Sequence, residues 1–138
     1  MKKNGLFVCV LLATVVALLV CSACSKSEPQ ASGEAYPGGE MGNGARSFAF
    51  SVVGVEGETV DFTIKTDKEI VGDALEELGL ISGEDGAYGM YVKNVNGTTL
   101  DYDKDGKYWA FYINDEYAVS GVDATEIDES AKYSFRAE

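Results

Sequence analysis

The chain has 138 residues and a formal charge of −12, from 23 acidic and 11 basic residues, and it contains no histidine. That length suits one modest domain. The missing histidine excludes Ser–His and Cys–His triads, imidazole acid–base catalysis and most zinc sites, and the acidic field repels nucleic acid and anionic lipid headgroups. The three cysteines are Cys9, Cys21 and Cys24. Everything after Cys24 therefore lacks a disulfide, a thiolate metal site or a cysteine nucleophile.

The amino terminus reads as an export signal. Lys2 and Lys3 precede the apolar run from Leu6 to Val20, which has the length of a signal h-region and is short for a membrane span. Cys21-Ser-Ala-Cys24 follows, with small residues at 22 and 23. This resembles a bacterial lipobox, whose cysteine takes a lipid (palmitate among its acyl chains) and becomes the first mature residue. Cys24 is the assigned cysteine, because Val20 fits the small-residue requirement before Cys21 poorly. Cys21 itself stands where the pattern prefers leucine. Residues 1–23 are thus expected to be a lipoprotein signal peptide, with the protein extracytoplasmic and anchored to the outer face of the cell membrane. A plain secretory signal or a single anchor helix is the alternative. Residues 24–46 are expected to be a flexible tether. Ser25 to Arg46 holds both prolines and five glycines and has no apolar periodicity. Tyr36 and Met41 are isolated there, with no role expected.

Residues 47–138 carry regular patterns. Phe48, Phe50 and Val52 alternate, Gly54 to Glu58 turns, and Val60, Phe62 and Ile64 alternate again, predicting a β-hairpin with one buried face. Thr66-Asp67 is a helix-cap candidate. Val71, Ala74, Leu75 and Leu78 fall at helical spacing, and Gly79 stops the helix. Gly72 weakens its first turn, and the close approach of a strand would explain it. After Leu80-Ile81 a Gly/Asp loop is expected. A second hairpin follows, with Val92 and Val95 before Asn96-Gly97 and Leu100 on the return. Lys104 to Gly106 turns into the strongest strand, Tyr108 to Ile113. Asn114-Asp115 turns again, and Tyr133 and Phe135 mark a last strand. The order predicts an α+β fold, a β-grasp-like mixed sheet packed on a single helix. A small sandwich with a decorative helix is the alternative.

Six of the eight tyrosines and the only tryptophan lie between Tyr88 and Thr125. A small core cannot easily bury them all, so a flat ligand could stack on those facing solvent. The candidate ligand-binding residues are Tyr88, Tyr91, Tyr108, Trp109 and Tyr117. Along Tyr108–Ile113, alternation groups Trp109, Phe111 and Ile113 on one face and Tyr108, Ala110 and Tyr112 on the other. One of these faces must pack on the helix.

Two acidic groups invite other chemistry. Asp101, Asp103 and Asp105, followed by Gly106, copy the first half of an EF-hand calcium loop, but Trp109 and Tyr112 occupy the places of its later ligands. Strands rather than helices are expected to flank it, and a solvated acidic turn is the stronger reading. Asp123, Glu126, Asp128 and Glu129, with Glu84-Asp85, could supply a paired-carboxylate hydrolase only at a fixed separation in a cleft. Their loop contexts favour solvated acids.

The segments VGDALEELGLISG at 71–83, YGMYVKNVNG at 88–97, GKYWAFYIND at 106–115 and GVDATEI at 121–127 resemble a domain of unknown function common in surface lipoproteins of Gram-positive bacteria. That domain is similar to the C-terminal domain of transcobalamin and intrinsic factor. The resemblance covers nearly all of residues 47–138. It departs at Ser130-Ala131, where the family has a Gly-Asp turn. It implies a β-grasp fold and binding of a corrinoid, cobalamin or another flat ligand. A membrane transporter or surface protein would be needed to enclose the ligand, and the membrane would be met only through the lipid. A calcium-stabilised protein-interaction module is the second hypothesis. No catalytic constellation points to an enzyme.

Overall fold

The computed structural model describes residues 35–138. The signal segment, Cys24 and the first part of the expected tether lie outside the described residues. The first hairpin forms as its alternation predicts. Strand β2 (Arg46–Val53) pairs antiparallel with β3 (Thr59–Thr66), setting Phe50 opposite Phe62 and Val52 opposite Val60. Phe48, Phe50, Val52, Phe62 and Ile64 are buried on one face, while Ala49, Asp61 and Thr63 point away.

The last part of the expected tether is folded into the domain. Gly39–Gly42 forms strand β1, which pairs in parallel with β3 from Phe62 to Lys65. Tyr36 and Met41 pack against the core. The side chain of Asn96, itself buried, completes the attachment. Its Oδ1 accepts the Tyr36 N–H at 2.7 Å and its Nδ2 donates to the Tyr36 carbonyl at 3.1 Å. An amide can do both at once because it offers a donor and an acceptor.

Helix α1 (Val71–Glu77) buries Val71, Ala74 and Leu75, whereas Leu78 is half-buried rather than buried. Its end is a Schellman turn. Gly79, at φ 68°, bonds the Glu76 carbonyl, and the Leu80 N–H bonds that of Leu75. Its start differs from the expected cap. Ile70 is the N-cap, Thr66 ends β3, and the Asp67 carboxylate accepts the Ala45 N–H instead. Gly72 permits the close approach, but of the 3₁₀ turn Val122–Ala124 rather than a strand. A Cβ there would meet the Asp123 backbone at 3.0 Å.

The expected Gly/Asp loop is a strand. β4 (Ile81–Gly86) pairs antiparallel with β5 (Gly89–Val95), and β5 pairs with β6 (Thr98–Thr99) through Asn96-Gly97, at φ 46° and 82°. Helix α2 (Tyr102–Asp105) is a single turn leading into β7 (Trp109–Ile113). Asn114-Asp115, both at positive φ, turns β7 into β8 (Glu116–Tyr117). β9 (Lys132–Ala137) closes the chain, and the turn before it forms with Ser130 donating to Asp128.

The six-stranded sheet runs β1-β3-β2-β9-β7-β8, with β1/β3 and β2/β9 parallel and the other pairs antiparallel. The second sheet runs β4-β5-β6. Val71, Leu75, Ile81, Val92 and Val95 join the phenylalanines of the large sheet in one core. The fold is therefore α+β and β-grasp-like, a mixed sheet with one face covered by the helix and the smaller sheet. Its other face is open.

Candidate functional site

The register of β7 decides which aromatic rings reach solvent. Trp109, Phe111 and Ile113 face inward, where Phe111 stacks on Phe135 and Tyr133 at 5.0 and 6.2 Å. Trp109 is only 5% exposed, and its indole N–H donates to the Thr98 carbonyl at 3.0 Å. It is a core residue with its one polar atom satisfied, so the expectation that it lines a ligand face is corrected. Tyr108 and Trp109, adjacent in a strand, cannot serve the same face.

The outward residues of β7 lie beside those of β9. Tyr108 exchanges both backbone bonds with Glu138, Ala110 sits opposite Arg136, and Tyr112 lies between Ser134 and Tyr117. Ala110 and Ser134 are buried although they belong to the open face, because they are short side chains among tall ones. Tyr112 and Tyr117 meet edge to face at 5.6 Å, and Tyr102 of α2 meets Tyr108 at 6.3 Å. The Arg136 guanidinium lies 4.2 Å from the Tyr112 ring centre, and its Nη2 donates to Asp115. The Tyr112 hydroxyl donates to the Glu138 carboxylate, a bond that, ahead of burial, pushes that hydroxyl's pKa up. Burial, then the neighbouring Tyr117 and Glu138, push the Tyr108 hydroxyl up as well.

The predicted set therefore divides. Tyr108 and Tyr117 come together on the open sheet face, joined by Tyr102, Tyr112, Arg136 and Glu138. Of these four, alternation had placed only Tyr112 beside Tyr108. The same alternation, carried along β9, would have put Arg136 and Glu138 on one face. Tyr88 and Tyr91 lie elsewhere, on the β4–β5 hairpin. Tyr88 is wholly exposed at its tip, and Lys93 sits 5.6 Å from the Tyr91 ring centre. Asp123 braces the base of that hairpin by accepting the Met90 N–H at 3.0 Å.

The three aspartates of the half EF-hand do not converge. Asp101 caps α2 by accepting the Asp103 N–H, Asp105 accepts the Asp101 N–H, and Lys93 lies 3.5 Å from Asp101. Burial pushes the Asp101 carboxyl up, but the Asp103 N–H, Lys93 and Lys104 together outweigh it and leave the pKa below its ordinary value. Among the described residues no three acidic side chains are grouped to hold a metal ion. Three acids of the Asp123–Glu129 loop also serve as braces. Besides Asp123, Glu129 accepts the Ser47 N–H, and Asp128 accepts from Ser130.

Comparison with known proteins supports the architecture. Residues 69–136, from the start of α1 almost to the end of β9, match the family model described as a domain of unknown function (DUF4430). A Ruminococcus gnavus protein of known crystal structure, provisionally described as metal-binding, superposes with a TM-score of 0.64. It is 22% identical, over 68% of this chain and 97% of its own. Haptocorrin in complex with Cbi superposes at 0.50 with 17% identity, over 67% of this chain but only 25% of haptocorrin. At such identities the likeness is one of fold. No curated protein matches the chain.

Proposed function

We propose that this chain, whose residues 69–136 match the model of the domain of unknown function DUF4430, acts by binding rather than catalysis. It is a lipid-anchored extracytoplasmic protein that takes a flat small molecule on the open face of its six-stranded sheet. The observation that carries the reading is the band of Tyr102, Tyr108, Tyr112 and Tyr117 beside Arg136, with Tyr102 and Tyr117 61% and 59% exposed. Tyrosine suits this task because each ring offers a rigid apolar face and a polar tip. The haptocorrin structure holds Cbi, and together with the resemblance to cobalamin carriers this makes a corrinoid the first ligand to try.

An open sheet face covers one side of a ligand, so the affinity of this domain alone is modest. A second domain, a membrane transporter or a surface protein would enclose the rest. The test is equilibrium dialysis of the chain against cobinamide and cobalamin, followed by light absorption, with Tyr117→Ala as the control. Binding lost in the variant at unchanged thermal stability supports the reading. Absence of any corrinoid binding at millimolar concentration removes the corrinoid. It would promote a second reading, a protein-interaction face, which tyrosine and arginine also favour as hot-spot residues.

Anchoring through Cys24 is part of the proposal. It is supported by Lys2-Lys3, the Leu6–Val20 run and Ser22-Ala23. Mass spectrometry of the cellular protein should find a lipid on Cys24, and Cys24→Ser should accumulate the unprocessed precursor. A lipid-free mature terminus elsewhere rejects it.

A further inference from the structure

The charge of the ligand can be read from what already sits on the tyrosine band. Its rings form a string: Tyr102 meets Tyr108 edge to face, Tyr117 neighbours Tyr108, and Tyr112 meets Tyr117 edge to face. One ring already carries a cation. The Arg136 guanidinium lies over Tyr112 at 4.2 Å, inside the ~6 Å range in which the negative face of an aromatic ring attracts a cation. Asp115 accepts from its Nη2, while its Nε is shut off from solvent with no acceptor. The guanidinium is thus held on this face by a ring and a carboxylate although one of its donors goes unused. Beside it, the Glu138 carboxylate takes the Tyr112 hydroxyl and remains exposed. The whole chain bears −12. With Arg136 neutralised in place by Asp115, the remaining ring faces, the Glu138 carboxylate and the acidic field favour a positive ligand over a negative one.

We propose that the corner formed by Tyr102, Tyr108, Tyr117 and Glu138 binds an organic cation, a guanidinium or quaternary ammonium group, next to the cation that Arg136 already supplies. The proposal rests on the reading of this face as the ligand site and adds the charge of what it takes. The group could belong to a small molecule or to an arginine side chain of a peptide, since both present the same chemistry to the rings.

The experiment is an NMR titration of the full chain in detergent micelles, with ¹³C-labelled tyrosine and constant ionic strength. Choline, arginine amide, an arginine-containing peptide and acetate are added in turn. Choline and arginine amide should shift the Tyr102, Tyr108 and Tyr117 signals saturably in the millimolar range, and acetate should not. Tyr117→Ala should abolish the effect, and Glu138→Gln should weaken it about threefold to tenfold with the remaining spectrum unchanged. A peptide that binds more tightly than arginine amide supports the proposal with a protein as the source of the cation, and equal affinity supports it with a small molecule. No saturable shift from either cation, equal shifts from acetate, or shifts that survive Tyr117→Ala would overturn it. The corrinoid dialysis separates the two failures. Corrinoid binding that persists with no cation response and no effect of Glu138→Gln keeps the face and rejects its charge preference. Silence toward corrinoid and cation alike rejects both.

Discussion

The two faces of β7 and β9 carry similar rings and use them in opposite ways. Inward lie Trp109, Phe111, Tyr133 and Phe135, all buried. Outward lie Tyr108 and Tyr112, flanked by Arg136 and Glu138. Among the described residues every phenylalanine (Phe48, Phe50, Phe62, Phe111 and Phe135) is in the core. The difference between Phe and Tyr is one hydroxyl, and an unbonded hydroxyl is costly to bury. Tyr133 is the informative exception. It is buried, but its oxygen accepts the Asp128 N–H at 2.8 Å and donates to the Glu126 carbonyl at 3.2 Å. On these two strands a ring is inside where its edge is apolar or its polar atom is bonded within the core, whereas a tyrosine whose hydroxyl is bonded at the surface, as Tyr112 is to Glu138, stays at the open face.

That rule can be broken at its strongest point first. Phe135→Ala removes a ring that touches Phe50 and Phe111. It should cost ~3–5 kcal/mol in urea unfolding, a large share of the 5–15 kcal/mol typical of a domain. A loss below 1 kcal/mol would mean the inner face is not the core. Tyr133→Phe keeps the ring but strips the Asp128 N–H and the Glu126 carbonyl of their partner, and should cost roughly 1–2 kcal/mol. A variant as stable as the parent would show that the hydroxyl is not what allows Tyr133 inside. On the open face, Tyr117→Ala should stay within about 0.5 kcal/mol of the parent, since surface substitutions rarely do more. A loss as large as that of Phe135→Ala would make the band structural and weaken its reading as a site.

The smallest effect concerns pH. Burial, then Asp73, Asp123 and Asp85, push the Glu76 carboxyl above its ordinary value. A raised carboxyl binds its proton more tightly in the folded state, so its contribution to stability falls as pH rises from the ordinary value through the raised one. Glu76→Gln removes that slope. The variant should be slightly more stable than the parent at neutral pH, and the gap should close once the pH drops below the ordinary carboxylate value. Melting curves that remain parallel from pH 3 to 7 would remove the effect.

Much of this is legible in the sequence. Alternation in Phe48–Val52 and Val60–Ile64 reports the first hairpin because one face is apolar and the other polar. Val71, Ala74 and Leu75 report the helix, and Asn96-Gly97 reports a turn that needs two positive φ angles. β1 was not legible. Its four residues, GEMG, include two glycines, and its partner β3 lies more than twenty residues away, so nothing local marks it. β4, ISGEDG, buries only Ile81 and owes its extended form to pairing with β5. The candidate site was half legible. Alternation sorted Trp109 from Tyr108, but which face turns inward is decided by Phe135 and Tyr133 on a strand twenty-odd residues later. The three aspartates misdirect for a related reason. Spacing alone cannot separate a metal loop from a capped helical turn, because both place carboxylates near backbone N–H groups.

The docking of β1 into the sheet has a consequence for distance. With the proposed anchor at Cys24, a tether ending at residue 46 could have let the domain roam up to ~80 Å from the bilayer, at ~3.5 Å per extended residue. Because the chain is already held at Tyr36 by Asn96, only about a dozen residues remain between anchor and domain, and whatever path they take they span at most ~40 Å. That is close to the diameter of the domain itself, roughly 30 Å for a compact unit of about a hundred residues. The protein would hold its domain within about 40 Å of the membrane, and any partner that shares its ligand must come within roughly 70 Å of the lipid, tether plus domain, to meet it.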